Sequence, residues 1–279
     1  MATAQSSFEG KLALITGGSS GVGLSLARLL AAEGAQVWIL ARRQAQLQAA
    51  LSSLASVNGN RPGMLAADVT KLSEVQSAVE RIKQEAGIPD ILVNAAGAAH
   101  AGYAQETPLE LYHEMMDLNY FGMVNMISKL LPDMLQRGSG YIVNFSSGSG
   151  FLALFGYAAY NPAKYAVRGL SDSLRLELKP LGIRMSVVFP PDTDTPGREN
   201  ENKTKPFETW EAFSSKVLSA DKVAASVFRG MKRGQYVILP GAEVRLWYHL
   251  TSLLGNAIYP LGDIVLAQAR RKKAKLKGG

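Results

Sequence analysis

Ser147, Tyr160 and Lys164, spaced thirteen and four residues apart, lie downstream of Asn119 and of a glycine-rich turn, Thr16-Gly17-Gly18-Ser19-Ser20-Gly21-Val22-Gly23. Side chains of these types at this spacing suit hydride transfer to a carbonyl. Tyr160 and Lys164 are one helical turn apart, which places both on one helix face, about 6 Å apart at Cβ. An ammonium there favours the phenolate. A phenol's ordinary pKa is about 10, and a general acid works best with a pKa nearer the working pH. Ser147 offers a short hydroxyl to hold a substrate carbonyl oxygen and the charge that develops on it. Asn119 is expected to bond locally and to position a water that links Lys164 to solvent as a proton relay. A single tyrosine or a single lysine is more often structural or merely solvated; the joint spacing argues against that.

The glycines need a strand-to-helix junction, and the sequence supplies one. Lys11–Ile15 reads as a short buried strand, and Leu24, Ala27, Leu30 and Ala31 have helical spacing. At such a junction small residues let the backbone approach a pyrophosphate, while the free amides and the dipole of the helix hold the anion. Gly17, Ser19, Ser20, Gly21, Val22 and Gly23 are the candidate contacts; taken alone, the cluster also reads as a flexible turn. The second strand, Gln36–Leu40, ends at Ala41-Arg42-Arg43, without the acid that would bond a ribose 2′-hydroxyl. A guanidinium suits a 2′-phosphate. Arg42, with the Ser19 hydroxyl close by, therefore predicts NADPH; the competing view is that Arg42 and Arg43 begin a solvated helix.

Candidate strands begin near Leu12, Gln36, Pro62, Asp90, Tyr141, Arg184 and Tyr236, with helical patterns between the first six. This alternation predicts an α/β Rossmann fold, a doubly wound parallel sheet with helices on both faces. Right-handed crossovers bring the first and fourth strands together at the switch point, where a dinucleotide lies over the carboxyl ends. Thr16, Asn94 and Ser147 fall at such ends. The expected organisation is one domain over residues 8–240, with a lid at 192–218, and a C-terminal apolar and basic extension at 241–279. The stretch Arg198–Leu218 is polar and sparsely periodic and holds Phe207, Trp210 and Phe213, which suits a mobile cover over a substrate. Apolar Phe151–Phe155, before Tyr160, suits a lipid substrate; buried core is the alternative.

Over roughly Phe8–Pro240 the chain resembles the short-chain dehydrogenase/reductase superfamily, which carries the TGxxxGxG turn, an NAG-type segment (here Asn94-Ala95-Ala96-Gly97) and the tetrad Asn119, Ser147, Tyr160, Lys164. The resemblance implies catalytic roles for those four, with Tyr160 and Lys164 also touching the cofactor and Lys164 holding its ribose hydroxyls. It implies further cofactor contacts from Asn94, Ala95 and Gly97; Ala95 stands where a second Asn is common. In the run Ala67-Asp68-Val69-Thr70 it puts Asp68, with Val69, at the adenine, although Asp68 reads equally as a helix N-cap. After the sixth strand, Met185–Phe189, comes Phe189-Pro190-Pro191-Asp192-Thr193-Asp194-Thr195-Pro196-Gly197, with Pro-Pro where most of the superfamily has Pro-Gly. This string and the run Asn202–Pro206 resemble the branch of the superfamily that reduces long-chain 3-keto sphingoid bases with NADPH. Two prolines stiffen the strand exit, and Thr193 and Thr195 can cap the next turn while approaching, with Pro190, the nicotinamide carboxamide. A rigid turn without ligand contact is the plainer alternative.

The resemblance implies a lipid-like ketone as substrate and a homodimer or homotetramer built through the long helices at 109–135 and 158–178. Reductases of a 3-oxoacyl thioester, a steroid or a xenobiotic carbonyl would share the tetrad. A nucleotide-sensing or membrane-scaffold protein on this fold would show a damaged one.

Composition narrows the field. There is no cysteine, and His100, His113 and His249 lack metal-ligand spacing, so no metal site is expected. The net charge is +7, and six of the cations, Arg270, Arg271, Lys272, Lys273, Lys275 and Lys277, sit in the tail after the last acid, Asp263. A nearly neutral body carries no nucleic-acid signature. Leu246–Gly262 is apolar with Trp247, Tyr248 and Tyr259; Gly255 and Pro260 interrupt it, which makes a poor transmembrane span. Residues 246–277 are expected to lie on an anionic membrane surface, aromatics at headgroup depth and cations on lipid; the alternative is an arm packed on a subunit with a solvated tail. The N-terminus lacks a secretory pattern, so the expected location is cytoplasmic and peripherally membrane-associated.

Overall fold

Short apolar runs form the centre of the molecule: β1 (Leu12–Thr16), β2 (Gln36–Ala41), β3 (Gly63–Ala66), β4 (Ile91–Asn94), β5 (Gly140–Phe145) and β6 (Ile183–Val188). The computed structural model describes residues 8–54, 61–213 and 216–277. With β9 (Val237–Ile238) these strands make a seven-stranded sheet in the order β3-β2-β1-β4-β5-β6-β9, every neighbouring pair parallel. Every residue of β1 and β4 is buried, as expected of a parallel sheet covered on both faces.

Alternation along each strand divides the core in two. Ala13, Ile15, Val37 and Val93 face α1 (Gly21–Ala32), α2 (Gln44–Ser52) and α9 (Ala220–Lys232). Leu12, Leu14, Leu92 and Ile142 face α3 (Leu72–Glu85), α5 (Gly122–Arg137) and α6 (Tyr160–Leu178). α4 (Leu109–Met116) runs into α5 through a π-helical turn, Asp117–Phe121, that contains Asn119; such turns often mark functional sites.

The segment expected as an irregular lid is built. β7 (Thr193–Asp194) pairs in parallel with β8 (Leu218–Ser219), and between them lie α7 (Pro196–Asn202) and α8 (Phe207–Phe213). Residues 214–215 of that lid, residues 278–279 and the side chain of Lys277 lie outside the described residues, as do residues 1–7 of the N-terminus.

The C-terminal extension forms α10 (Ala242–Leu254), a 3-10 turn at Gly255–Ile258, and α11 (Tyr259–Lys277). By length and composition the run Ala242–Leu276 could cross a membrane. It is split at Gly255, as the sequence suggests, whereas Pro260 sits in the first turn of α11, where a missing amide costs nothing. The basic tail is not a solvated coil: Lys272 pairs with Glu211 at 2.7 Å, and Lys273 pairs with Glu208 at 2.9 Å and Tyr103 at 2.5 Å.

A buried polar chain fixes α6 to the sheet. Asn94 Nδ2 donates to Asn144 Oδ1 at 2.9 Å, Asn144 Nδ2 to Ser171 Oγ at 3.0 Å, and Ser171 Oγ to the Val167 carbonyl at 2.7 Å. Asn144→Ala orphans the Asn94 amide in a dry interior and should lower unfolding stability by about 1–3 kcal/mol, seen as a lower urea midpoint.

Candidate active site

Tyr160 is the first residue of α6 and Lys164 follows one turn later, so both face the carboxyl end of β5. Ser147 lies just past that strand as the N-cap of a 3-10 turn, its Oγ accepting from the Ser149 amide at 3.2 Å. Lys164 is 4% exposed; its Nζ donates to the Phe145 carbonyl at 3.1 Å and lies 5.6 Å from the Tyr160 ring centroid. Ser146 Oγ donates to the Lys164 carbonyl at 2.8 Å, which ties the helix turn to the strand exit.

The electrostatics differ from the expected pairing. Burial pushes the Tyr160 hydroxyl above a phenol's ordinary value; the hydrogen bond with Ser147 draws it partway back, and the carboxylates of Glu201 and Asp192 push it up again. Burial pushes Lys164 down to about 8. Burial, rather than the neighbouring ammonium, sets the direction of this phenol's shift. Removal from water favours the neutral form of both groups, and the ammonium is turned toward the Phe145 carbonyl.

Asn119 spends its side chain on the backbone. Nδ2 donates to the Ala98 carbonyl at 2.9 Å and the Met115 carbonyl at 3.0 Å, and Oδ1 accepts from the Ala98 amide at 3.3 Å. A Cβ on Gly97 would come 2.7 Å from Asn119 Oδ1 and 3.5 Å from Lys164 Nζ. Glycine at 97 thus keeps a side chain out of the space between those two groups.

One cleft of about 900 Å³ is lined by Ser147, Tyr160, Lys164 and Asn119 together with Gly17, Ser19, Ser20, Gly21, Val22, Gly23, Arg42, Asp68, Val69, Ala95, Gly97, Pro190, Thr193 and Thr195. Asn94 is the correction. It does not line the cleft; it is buried beneath it, holding Asn144. Asp68 is not an N-cap either: α3 starts after Lys71, and Asp68 Oδ1 instead accepts from the Thr70 amide and hydroxyl at 3.0 and 2.9 Å. Arg42 lies 3.9 Å from Asp68 and is largely exposed.

These residues fit a dinucleotide. Gly17 has φ +67, and a Cβ there would strike the Ala95 carbonyl at 2.8 Å, so only glycine closes the turn this tightly against the β4 exit. Ser20, the N-cap of α1, makes no side-chain cap, which leaves the first amides of the helix for a phosphate. Thr16 Oγ1 accepts from the Ala95 and Ala96 amides at 3.1 Å and sets the floor between β1 and β4.

The other half of the cleft was only partly legible. Phe151–Phe155 line it as expected; of the three lid aromatics, Phe213 does and Phe207 and Trp210 do not. The C-terminal extension supplies a whole wall through Val244, Trp247, Ile258, Tyr259, Leu261 and Val265. Val244 and Tyr248 pack on Phe151 and Phe189. The signal was present in the spacing of 258, 261 and 265, which is that of one helix face, but an apolar face does not say what it covers.

A family profile described as short chain dehydrogenase matches residues 11–206. The chain is 36% identical over 233 residues to a 3-dehydrosphinganine reductase of Danio rerio, covering 82% of this chain and 70% of that one. It is 35% identical over 277 residues to a 3-ketodihydrosphingosine reductase of Dictyostelium discoideum, covering 93% and 83%. Among solved structures, a short-chain dehydrogenase from Sphingobium yanoikuyae in complex with NADPH superposes with a TM-score of 0.75 at 28% identity over 89% of this chain and 95% of that one. The L-sorbose reductase of Gluconobacter frateurii complexed with NADPH and L-sorbose gives 0.74 at 27%, over 86% and 98%.

Lys164 gives a pH signature. Its folded value of about 8 lies below the ordinary 10.5, so between those values the unfolded chain binds more protons and stability rises with pH. Below about 8 the full cost of burying the ammonium is present. Relative to Lys164→Met, the ligand-free protein should gain stability as pH rises from about 8 to 10.5, on the order of 3 kcal/mol at about 1.4 kcal/mol per unit, measured by urea midpoints across that range.

Proposed function

The chain belongs to the short-chain dehydrogenase family, and from that premise we propose that it reduces 3-ketodihydrosphingosine to dihydrosphingosine with NADPH at a membrane surface. The observation that carries the reading is the single cleft that joins the glycine turn, Tyr160 and an apolar end walled by α10 and α11. A nucleotide and a long alkyl chain need such a cleft, and relatives named for this reaction cover most of the chain.

NADPH, when bound, supplies the hydride. The glycine turn and the N-terminus of α1 would hold its diphosphate, and Arg42 with Ser19 would meet the 2′-phosphate. Ser147 Oγ and the Tyr160 hydroxyl hold the ketone oxygen. Burial keeps Tyr160 protonated at neutral pH, which is the state a proton donor must start from. Tyr160 would give its proton to that oxygen, so that a carbonyl reduced there leaves as the alcohol. Lys164, near 8, would return the proton, and the space at Gly97 between it and Asn119 would take the water that links it to solvent. Asp68 and Val69 would flank the adenine, and Pro190, Thr193 and Thr195, which line the cleft, would flank the nicotinamide end. A reductase of a small polar ketone would have no use for the apolar wall.

The outer face of the same wall supports peripheral membrane contact. Leu246, Leu253, Leu254 and Ile264 are exposed, as are Arg271 and Lys275 further along α11. Apolar burial together with cations on anionic lipid gives reversible binding at the cytosolic face. Exposed Leu109, Phe121 and Leu176, on or beside α4 and α6, support a homo-oligomer joined through those helices.

Incubation with 3-ketodihydrosphingosine should consume NADPH in preference to NADH and yield dihydrosphingosine by mass, and Tyr160→Phe should lower kcat by roughly 10²–10⁴-fold while NADPH still binds. No product from the wild type, or a fully active Tyr160→Phe, would overturn the assignment. In flotation assays the protein should rise with phosphatidylserine vesicles at low salt and less so at high salt; equal flotation with neutral vesicles at all salt concentrations would remove the electrostatic part.

A further inference from the structure

The cleft contains a charged cluster that the chemistry at Tyr160 does not use. Tyr157, whose ring centroid lies 6.0 Å from that of Tyr160, donates its hydroxyl to Glu201 Oε1. Lys205 Nζ lies 3.2 Å from the same oxygen and 4.0 Å from Asp192 Oδ2. The Lys205 side chain is 6% exposed and stacks over Trp210, with its ammonium 4.9 Å from the ring. Glu201, Tyr157 and Asp192 line the cleft; Lys205 stands behind them. Both contacts of Glu201 fall on Oε1, and Oε2 makes no hydrogen bond with any described residue.

We propose that Glu201 selects an amino ketone, its carboxylate accepting the substrate ammonium on the carbon next to the carbonyl. The inference rests on the function proposed above. The substrate there is a long-chain ketone with an ammonium on the adjacent carbon and a hydroxyl one carbon further. With the ketone oxygen at Ser147 and Tyr160, the ammonium lies within one carbon of the reacting centre, and Tyr157, packed beside Tyr160, brings Glu201 to that part of the cleft. The charges agree. Asp192, Glu201, Glu243 and Asp263 line the cleft from the lid and the C-terminal helices, where Arg198 is the one lining cation; the other lining cations, Arg42, Arg43 and Lys164, belong to the strand exits and α6. Two carboxylates share Lys205, so a negative charge is left for a cationic ligand.

The arrangement has a consequence for the proton transfer. Burial first, and then the field of Glu201 and Asp192, holds the Tyr160 phenol in its protonated form. A substrate ammonium at Glu201 cancels much of that field as it binds. Tyr160 then releases its proton more readily with an amino ketone in place than with a ketone lacking the amine. Tyr157 and Lys205 act as positioning residues, since they fix the carboxylate and touch neither reacting atom.

The test compares kcat/KM for 3-ketodihydrosphingosine with that for the matching 1-hydroxy-3-ketone that lacks the amine, in wild type and in Glu201→Gln. The expected result is a wild-type preference for the amino ketone that falls by about tenfold or more in the variant, the size of a lost charge-assisted hydrogen bond. Glu201→Asp should recover part of it. An unchanged ratio in Glu201→Gln overturns the proposal and leaves the proposed function standing, because the wild type still reduces the amino ketone. A wild type inactive on the amino ketone overturns both. Should the Gln variant fail to fold, the wild type alone decides: dihydrosphingosine should inhibit at least about tenfold more tightly than the 1,3-diol without the amine, and equal inhibition overturns the proposal.

Discussion

Everything in this molecule is arranged around the burial of an ammonium and a phenol on one turn of α6. Taking Lys164 out of water is costly, and the fold meets the cost with one carbonyl, that of Phe145, at the end of β5. That carbonyl is available only because the strand stops there and Ser146 turns to bind the Lys164 carbonyl instead. The depth of β5 in the sheet, the buried chain from Asn94 through Asn144 to Ser171, and the register of α6 are therefore parts of one constraint. Loosening any of them lets water reach Lys164, and both the lysine and the tyrosine drift back toward ordinary titration.

The same constraint explains which parts were readable from residues alone. Tyr160 and Lys164 share a face because residues four apart on a helix are neighbours, and the glycine turn announces itself by its neighbours. The strands begin within about a residue of their expected starts, Gly63 for Pro62 and Ile183 for Arg184, because two-sided burial leaves an unbroken apolar run. Asn94 was misplaced because motif membership carries no direction: on a strand alternate side chains point to opposite faces, and this one points to Asn144. The sign of the Tyr160 shift was missed because sequence supplies the neighbouring cation but not the depth of burial. In the lid, α7 and α8 are seven residues each, too short to show a period and stable only through tertiary packing.

Glu201 illustrates a different blind spot. In sequence it is one acid among several in a polar stretch. Only the pairing of β7 with β8 brings α7 over the cleft, and only then does its carboxylate meet Tyr157, forty-four residues earlier in the chain. The residues of the proposed amine site meet only through the pairing of β7 with β8, whereas Tyr160 and Lys164 already share a face by the geometry of one helix.

The C-terminal helices bring the two levels together within the proposed function. Their inner face, from Val244 to Val265, closes the cleft, and their ends are pinned: α10 by Val244 and Tyr248 on Phe151, and α11 by Lys273 on Glu208 and Tyr103. Burial pushes the Glu208 carboxyl up, but the hydrogen bonds from Tyr103 and Lys273 outweigh it and hold it below its usual range, so the pin is strongest when all three are charged or bonded as seen. Between the pins, Leu253, Leu254 and Ile264 remain at the surface. A long alkyl chain leaving a bilayer for water would lose about 0.8 kcal/mol per methylene, a prohibitive sum over a sphingoid tail. A wall whose outer side meets lipid and whose inner side meets the alkyl chain removes the aqueous step altogether, which is a physical reason for an apolar, partly exposed helix pair at the mouth of a hydride-transfer site.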